Sequence, residues 1–407
     1  MNSRERVLSS INHIEPDKVP FDLGGTSVTG ISAMAYNKLK AKLGIDSPTR
    51  VFDVVQQLAM VDWQLVDSFG IDVLDINRLF IDDRSWHNFT LGDGSLGEIP
   101  DWFKPERAED GSYFVKDSQG RMMARMPSGG MCFDQTCFPW EDGYPDDLSS
   151  LKEAFKSVNW IAHSHTSFID IKDEELRARA RHLRESTDKA IAMSGGVKLL
   201  ELGFFLRRMD HFLMDLLADP ESVSKLLDKL MDMHLSKLEK KLSAVGDLVD
   251  VIRFGDDLGM TKGPFMDLET FRKLFLPRYK VVCDYVRQNS NMKIFFHSCG
   301  SIRPFIPDLI EAGFDIINPV QTNAQGMDPV ELKEEFGREI TFWGGGVDTS
   351  QVLPSGTPEE VRADVLKRCD ILSRNGGFIF APIHNILPEV PPENILAMVQ
   401  AVKEFNT

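Results

Sequence analysis

Eight short apolar runs, each ending in small or polar residues, are the feature that most constrains the fold of this 407-residue chain. Such runs indicate buried parallel strands whose carboxyl ends carry polar loops. Amphipathic helical patterns lie between most of them; one begins with Thr357 as N-cap and Pro358 in the first turn. The runs are residues 19–24, 71–76, 190–195, 250–257, 293–297, 315–320, 340–344 and 377–382.

Eight strands that alternate with helices predict an α/β fold of the (β/α)8 type, the TIM barrel. An open doubly wound sheet is the competing fold, and the count of eight favours the barrel. We also expect an N-terminal helical extension ahead of the first strand. The whole chain, residues 1–407, is interpreted as a single barrel domain with one insertion at about 78–189.

The insertion between strands two and three is too long for one helix. Residues 111–117 and 120–126 are β-like runs with glycine turns, which predict a β-hairpin. The part at about 149–186 is charge-rich and helical in pattern. Over the mouth of a barrel, such an insertion could act as a lid, a docking surface or a structural decoration, and the sequence leaves these three open.

Composition narrows the class of protein. A net charge of -16 disfavours non-specific nucleic-acid binding, because that binding needs Lys and Arg to displace counterions from phosphates. The five cysteines are odd in number and follow no disulfide framework, which is typical of a reducing compartment. The sequence shows neither a signal peptide nor an apolar stretch of membrane-spanning length, so we expect a cytoplasmic protein that does not contact membranes.

Barrel enzymes carry their active sites at the carboxyl ends of the strands, and three candidate metal ligands stand there. His297 and Cys299 are two residues apart at the end of strand five, so both side chains can reach one ion. His384 follows strand eight, which faces the same mouth. Imidazole and thiolate are zinc ligands, and catalytic zinc sites often use three protein ligands. Small buried packing residues are the alternative interpretation of this set.

Further polar or aromatic residues at strand ends are candidates for substrate contacts. Asp257 and His297 are the candidate catalytic residues, with Asp257 as the acid. A salt bridge or a strand-end cap is the alternative role for the acidic residues. The candidate substrate-binding residues are Asp22, Asp75, Asp256, Asn318, Gln321, Trp343 and Asn385.

Several motifs in the second half of the chain resemble the uroporphyrinogen decarboxylase superfamily, especially its corrinoid (cobalamin)-dependent methyltransferase branch. The resemblance covers nearly the whole chain and is strongest from about residue 250 onward. It implies a TIM barrel and, in the methyltransferase members, zinc bound by an H-x-C pair and a later cysteine. The motifs lie at 255–259, 297–300, 318–321, 343–349, 381–386 and 390–394.

His297 and Cys299 match the first two zinc ligands of that pattern, and His384 stands where the later cysteine is expected. Two neutral imidazoles and one thiolate leave a zinc site formally more positive than one imidazole and two thiolates. A more positive zinc is a better Lewis acid and would favour cleavage of an O-methyl group over methylation of a thiol. The resemblance therefore implies methyl transfer from a small O-methylated donor, such as an aryl methyl ether, to a corrinoid protein as partner.

Two other activities remain open within the resemblance. A methylcobamide:thiol methyltransferase would use the same metal ligands with a thiol acceptor. A uroporphyrinogen decarboxylase-type lyase would need cations for a substrate with many carboxylates, and the resemblance implies an Arg-rich segment after strand one. Residues 23–30 hold no positive charge there, which disfavours the lyase. A homodimer is among the assemblies we expect.

Overall fold

A computed structural model describes residues 1–80, 85–165 and 171–407. Helices and strands follow the predicted alternation along most of this length. The strands are β1 (Val51–Asp53), β2 (Leu58–Ala59), β3 (Val73–Asp75), β4 (Trp86–Thr90), β5 (Leu96–Pro100), β6 (Glu106–Arg107), β7 (Tyr113–Lys116), β8 (Met122–Met126), β9 (Asp134–Gln135), β10 (Ala190–Ser194), β11 (Val251–Gly255), β12 (Gly259–Met260), β13 (Gly263–Pro264), β14 (Lys293–His297), β15 (Ile316–Asn318), β16 (Thr341–Trp343) and β17 (Phe378–Ile379).

Helices surround the strands, and two short 3-10 segments lie at Ile76–Phe80 and Arg303–Phe305. The helices are α1 (Ser3–Ile11), α2 (Ala33–Leu43), α3 (Trp63–Phe69), α4 (Leu151–His165), α5 (Asp173–Ser186), α6 (Leu200–Arg207), α7 (Met209–Ala218), α8 (Pro220–Val245), α9 (Leu268–Leu274), α10 (Leu276–Asn289), α11 (Ile306–Ala312), α12 (Pro329–Phe336), α13 (Val352–Ser355), α14 (Pro358–Leu372) and α15 (Pro392–Phe405).

Seven of the eight predicted runs form one parallel sheet in the order β3-β10-β11-β14-β15-β16-β17. The first run pairs only through Phe21, which bridges to Phe380 in parallel beyond β17. On its other side, the Asp72 N–H donates to the Phe21 carbonyl at 2.7 Å. Pro20 has no N–H to extend the ladder, which keeps this strand short. The run nevertheless lies between β17 and β3, and the predicted barrel is confirmed.

Side chains alternate between the inside of the barrel and the helix layer, as the two-residue period of strands requires. On β11, Val251 packs with Phe295 of β14 in the interior cluster, whereas Ile252 and Phe254 belong to the cluster that faces the helices. Arg253 shares the inward parity of Val251. This parity decides which polar residues at the strand ends can face the barrel axis.

The predicted N-terminal extension is confirmed as α1, and it closes the amino end of the barrel. Its Val7 and Ile11 join the interior cluster. The Arg4 N–H donates to the Asp188 carbonyl just before β10, and the Ser10 carbonyl accepts from the N–H that precedes β17, each at 2.8 Å. The carboxyl ends of the strands are therefore the open mouth.

Between β3 and β10 the structure contains the β4–β5 hairpin, a four-stranded antiparallel sheet and the helices α4 and α5. The predicted hairpin is confirmed as β7 and β8. The insertion packs against mouth elements: Phe133 N donates to the Val55 carbonyl at 2.9 Å, and Trp140 N donates to the Leu206 carbonyl at 2.8 Å. Residues 81–84 and 166–170 of the predicted insertion lie outside the described part.

Among the helices described here, none combines the length and the apolar character that a membrane crossing requires.

Candidate metal centre

The three predicted metal ligands come together at the mouth. His297 ends β14, Cys299 lies two residues further, and His384 follows β17. One donor atom from each side chain lies within 4.8 Å of the other two. His297 Nε2 and Cys299 Sγ are 3.6 Å apart. Bonds of about 2.0–2.3 Å in a tetrahedral zinc site put neighbouring ligand atoms roughly 3.3–3.8 Å apart, so this pair already has the required separation.

The orientation of His297 is set by a relay of hydrogen bonds. Asn318 Nδ2 donates to the Trp343 carbonyl at 2.7 Å, which leaves Asn318 Oδ1 to face the imidazole. That oxygen lies 2.6 Å from His297 Nδ1 and must accept its proton. The proton on Nδ1 leaves the lone pair of Nε2 directed towards Cys299. Metal-binding histidines usually have this kind of second hydrogen bond, which fixes the tautomer and the ring plane.

Burial sets the protonation states of the three ligands. It lowers the pKa of His297 to about 3, with the neighbouring His384 adding to the effect, so this imidazole is neutral near pH 7. Burial also lowers the pKa of His384. Burial, together with the nearby Asp257 carboxylate, raises the pKa of the Cys299 thiol well above its usual value. Two neutral imidazoles and a thiol that loses its proton on binding are a donor set that fits a divalent metal.

The turn that carries Cys299 is held by side chains from neighbouring strand ends. Cys299 N donates to Asp257 Oδ1 at 2.9 Å, and Gly300 N donates to Gln321 Oε1 at 2.7 Å. Gly300 has a φ of +87°, and a Cβ there would lie 2.3 Å from the Gly259 backbone. This close backbone approach requires glycine at position 300.

Asp257, Asn318 and Gln321 therefore support the ligands directly, a role that differs from the predicted substrate contacts of Asn318 and Gln321. Asn318 is fully buried. Asp257 keeps a second role open, because its side chain is 39% exposed and its Oδ1 lies 3.6 Å from His297 Nε2. Asp257 and Gln321 are both partly exposed, whereas Asn318 is not.

Four other predicted substrate contacts form hydrogen bonds with neighbouring protein groups, and their contact with a substrate stays a prediction; they are Asp22, Trp343, Asp256 and Asn385. Asp22 is completely buried and accepts from Trp343 Nε1 at 2.8 Å, so this pair braces the barrel interior. Asp256, also buried, accepts from Leu199 N at 2.7 Å and from Tyr279 Oη at 2.6 Å. Its parity at the end of β11 points it towards the helices, away from the axis.

Asn385, the fourth of these residues, ties two mouth loops together. Its Oδ1 accepts from Gly30 N at 2.6 Å, and its Nδ2 donates to the Ser27 carbonyl at 3.1 Å and to Gln56 Oε1 at 3.0 Å. The adjacent His384 has no hydrogen-bond partner among the residues that the structure describes. Asn385 therefore fixes the backbone next to His384, whereas no hydrogen bond among the described residues orients the His384 ring.

Asp75 lies on the opposite side of the mouth from the metal ligands. It ends β3, is 6% exposed and accepts from Asn77 N at 2.7 Å. Burial raises its pKa to about 6, opposed by that backbone hydrogen bond and by the charge of Arg253. The structure places it inside the mouth, as the prediction requires, and its contact with a substrate stays a prediction.

Arg253 is the residue that the sequence analysis missed. It is only 8% exposed and its Nη2 donates to Ser27 Oγ at 3.0 Å, in the loop after the first strand. An arginine inside an apolar parallel strand is rare, because burying a guanidinium is costly without a partner. The sequence did contain a signal for it. Arg253 lies two residues before Gly255 in a predicted strand, so its side chain points to the same, inward side of the barrel.

Comparisons with known proteins agree with the barrel. The family model described as uroporphyrinogen decarboxylase (URO-D) matches residues 201–405. Among curated proteins, uroporphyrinogen decarboxylase of Magnetococcus marinus is 26% identical over 191 residues, which cover 46% of this chain and 49% of that protein. The enzyme of the same name from Pseudoalteromonas translucida is 26% identical over 192 residues, which cover 46% of this chain and 50% of that protein. The chain thus spans about half the length of these curated relatives.

A solved structure extends the likeness over the whole chain. A methyltransferase from Methanosarcina mazei has a TM-score of 0.62 and 16% sequence identity, and the match covers 100% of both chains. At this identity the likeness establishes the fold.

Proposed function

The chain belongs to the uroporphyrinogen decarboxylase family, and we propose that within it this protein is a zinc-dependent methyltransferase. Its methyl donor is a small O-methylated compound, and its acceptor is the cobalt of a separate corrinoid protein. The observation that carries the proposal is the His297–Cys299–His384 cluster at the barrel mouth, with Nε2 of His297 freed by Asn318. Its similarity to a protein named methyltransferase over the full chain is consistent with this activity.

The proposed reaction is a displacement at the methyl carbon. Reduced cobalt of the acceptor attacks that carbon, the carbon–oxygen bond breaks, and the electron pair stays on the leaving oxygen, which then takes a proton. Zinc bound at this site would supply a Lewis acid that stabilises the developing oxygen anion. Asp257, partly exposed beside His297, is placed to relay a proton from solvent to that oxygen.

The donor set favours an ether over a thiol as substrate. With His384 in place of a second thiolate, the zinc site has a formal charge of +1. A positive site stabilises a leaving oxygen anion, whereas a neutral site leaves a bound thiolate more nucleophilic. A methylcobamide:thiol methyltransferase is therefore the second candidate, and His384 separates the two.

A lyase acting on uroporphyrinogen is the third candidate, and the names of the curated relatives favour it. Its substrate carries many carboxylates, whereas residues 23–30 hold no cation of their own and Arg253, bonded to Ser27, brings a single positive charge to this loop. We expect no decarboxylation of uroporphyrinogen by the purified protein.

The proposal is tested by metal analysis and by transfer to free cob(I)alamin, whose absorbance changes on methylation. We expect about one zinc per chain and methylation of cob(I)alamin with at least one member of a panel of methoxylated aromatic and aliphatic compounds. Cys299→Ser should lose both, whereas Cys132→Ser, a thiol outside the cluster, should keep both. A protein without stoichiometric metal, or activity that survives Cys299→Ser, would refute the proposal.

His384→Cys tests the choice between ether and thiol. This variant has the one-imidazole, two-thiolate set, so it should lose ether cleavage and gain methyl transfer from methylcobalamin to mercaptoethanol. Unchanged ether cleavage in a variant that still binds zinc would contradict the charge argument.

A further inference from the structure

Arg253 carries a buried charge that has no direct ion pair among the residues that the structure describes. It is 8% exposed, and among the described residues it makes one hydrogen bond, to Ser27 Oγ, and no ion pair within 4.0 Å. A guanidinium has five N–H donors and stays protonated in proteins. Burying such a group without a counterion is unfavourable, so its presence at the mouth requires a reason.

The side chain lies across the barrel, in the chamber that the metal ligands share. Arg253 starts on β11 with inward parity and reaches Ser27, in the loop that follows the first strand. Asn385 donates to the carbonyl of the same Ser27 and is the neighbour of His384. Through Ser27 and Asn385, the guanidinium and the candidate metal centre therefore lie at the same mouth of the barrel.

Nearby acids limit what can bind there. Asp75, Glu201 and Asp53 act on the guanidinium electrostatically, and each favours its charged form. A dianion would gain from Arg253 and be repelled by these three carboxylates. A single planar carboxylate fits better, because it matches the fork of the guanidinium and brings only one negative charge.

We propose that Arg253 is the substrate-anchoring residue of this mouth and that the methyl donor is a carboxylic acid, bound through its carboxylate to the guanidinium while its methoxy end reaches the His297–Cys299–His384 cluster. The inference rests on the proposed function in taking the mouth as the donor site. Carboxylate binding itself requires neither zinc nor methyl transfer, so each can fail without the other.

The test uses acetate as the simplest carboxylate and thermal unfolding of the full chain as the readout. Samples contain acetate, acetamide or inorganic phosphate, with ionic strength balanced by sodium chloride. Wild type is compared with Arg253→Met, Arg253→Lys and Arg177→Met. Arg177 is a matched control, since it binds Asp247 on the surface. Zinc content is measured for every variant, to show that the cluster is intact.

We expect acetate at about 100 mM to raise the Tm of wild type and Arg177→Met by about 2 °C over acetamide, and to leave Arg253→Met unchanged. Arg253→Lys keeps the charge and loses the fork, so its shift should be smaller. In acetamide, Arg253→Met should unfold at the wild-type temperature or above it, because it removes a buried charge whose desolvation cost no direct ion pair among the described residues offsets.

Three results would overturn the inference. The first is an equal acetate shift in wild type and Arg253→Met, or none in either. The second is a clearly lower Tm in acetamide for Arg253→Met than for wild type, which would show that the guanidinium is paired within the protein. If Arg253→Met does not fold, the deciding result is instead an acetate shift in Arg253→Lys as large as that of wild type. The third is a phosphate shift as large as that of acetate. If the acetate shifts follow the expected pattern but the protein lacks zinc or methyl transfer, the proposed function is refuted and the carboxylate inference is not.

Discussion

The two sides of the barrel mouth differ in how fully their polar side chains are hydrogen-bonded within the protein. On the side of β14–β17, His297 is held by Asn318, and the turn that carries Cys299 is held by Asp257 and Gln321. On the side of β3–β11, Arg253 has one neutral hydrogen bond within the part of the chain that the structure describes. Braced ligands suit an ion that stays bound, whereas an unpaired charge suits a molecule that arrives and leaves.

The largest expected effect is the loss of a ligand on the braced side. His297→Ala removes the nitrogen that Asn318 directs at the ion, so zinc should fall from about one per chain to a trace, and methyl transfer should be lost with it. Elemental analysis of the purified variant measures this. His182→Ala, which changes a histidine of α5 outside the cluster, is the control and should keep its zinc. Retention of zinc by His297→Ala would mean that the ion binds elsewhere.

On the opposite side, Asp75 should make stability depend on pH. Its pKa in the folded protein is about 6 against 3.8 for the free group, so the folded state holds a proton that the unfolded state releases. Between about pH 4 and 6, rising pH should therefore destabilise wild type relative to Asp75→Asn, by at most about 3 kcal/mol. Urea unfolding of both proteins across this range measures the difference. A constant difference between pH 4 and pH 7 would show that Asp75 titrates normally.

Loss of the hydrogen bond between His297 and Asn318 should have a smaller effect on zinc binding, which depends on the substitution. Asn318→Ala leaves the ligands in place and removes the acceptor for His297 Nδ1, so zinc affinity should fall by about 10- to 100-fold. Asn318→Asp retains an acceptor and should lose less. Competition with a chelator of known affinity gives both values. Equal affinities for Asn318→Ala and wild type would remove the basis for calling this side preorganised.

The smallest effect is expected for Ser27→Ala. It removes the hydrogen bond between Ser27 Oγ and Arg253, which should lower the free energy of unfolding by about 1 kcal/mol. Zinc content should not change, because Ser27 contacts no ligand. Urea unfolding with zinc analysis measures both. A loss of unfolding free energy several times larger would mean that Arg253 is held by the protein as firmly as the candidate metal ligands are.

Much of the architecture could be predicted because it depends on local patterns. Apolar runs with polar ends located all eight strands, and the H-x-C pair with His384 located the cluster, since the strand ends of a barrel meet at one face. The first strand was shortened to a bridge at Phe21 beside Pro20.

The amino-acid sequence alone determined the order of strands and helices and the identity of the three candidate ligands, because strand period, capping residues and donor chemistry are local properties. Only the tertiary structure decided which polar groups face the chamber. Asp256 and Asp257 are neighbours, yet one turns to Tyr279 and the other to Cys299. Arg253 meets Ser27 across 226 positions of sequence. Such pairings depend on the closure of the barrel, which brings together strand ends that no local pattern connects.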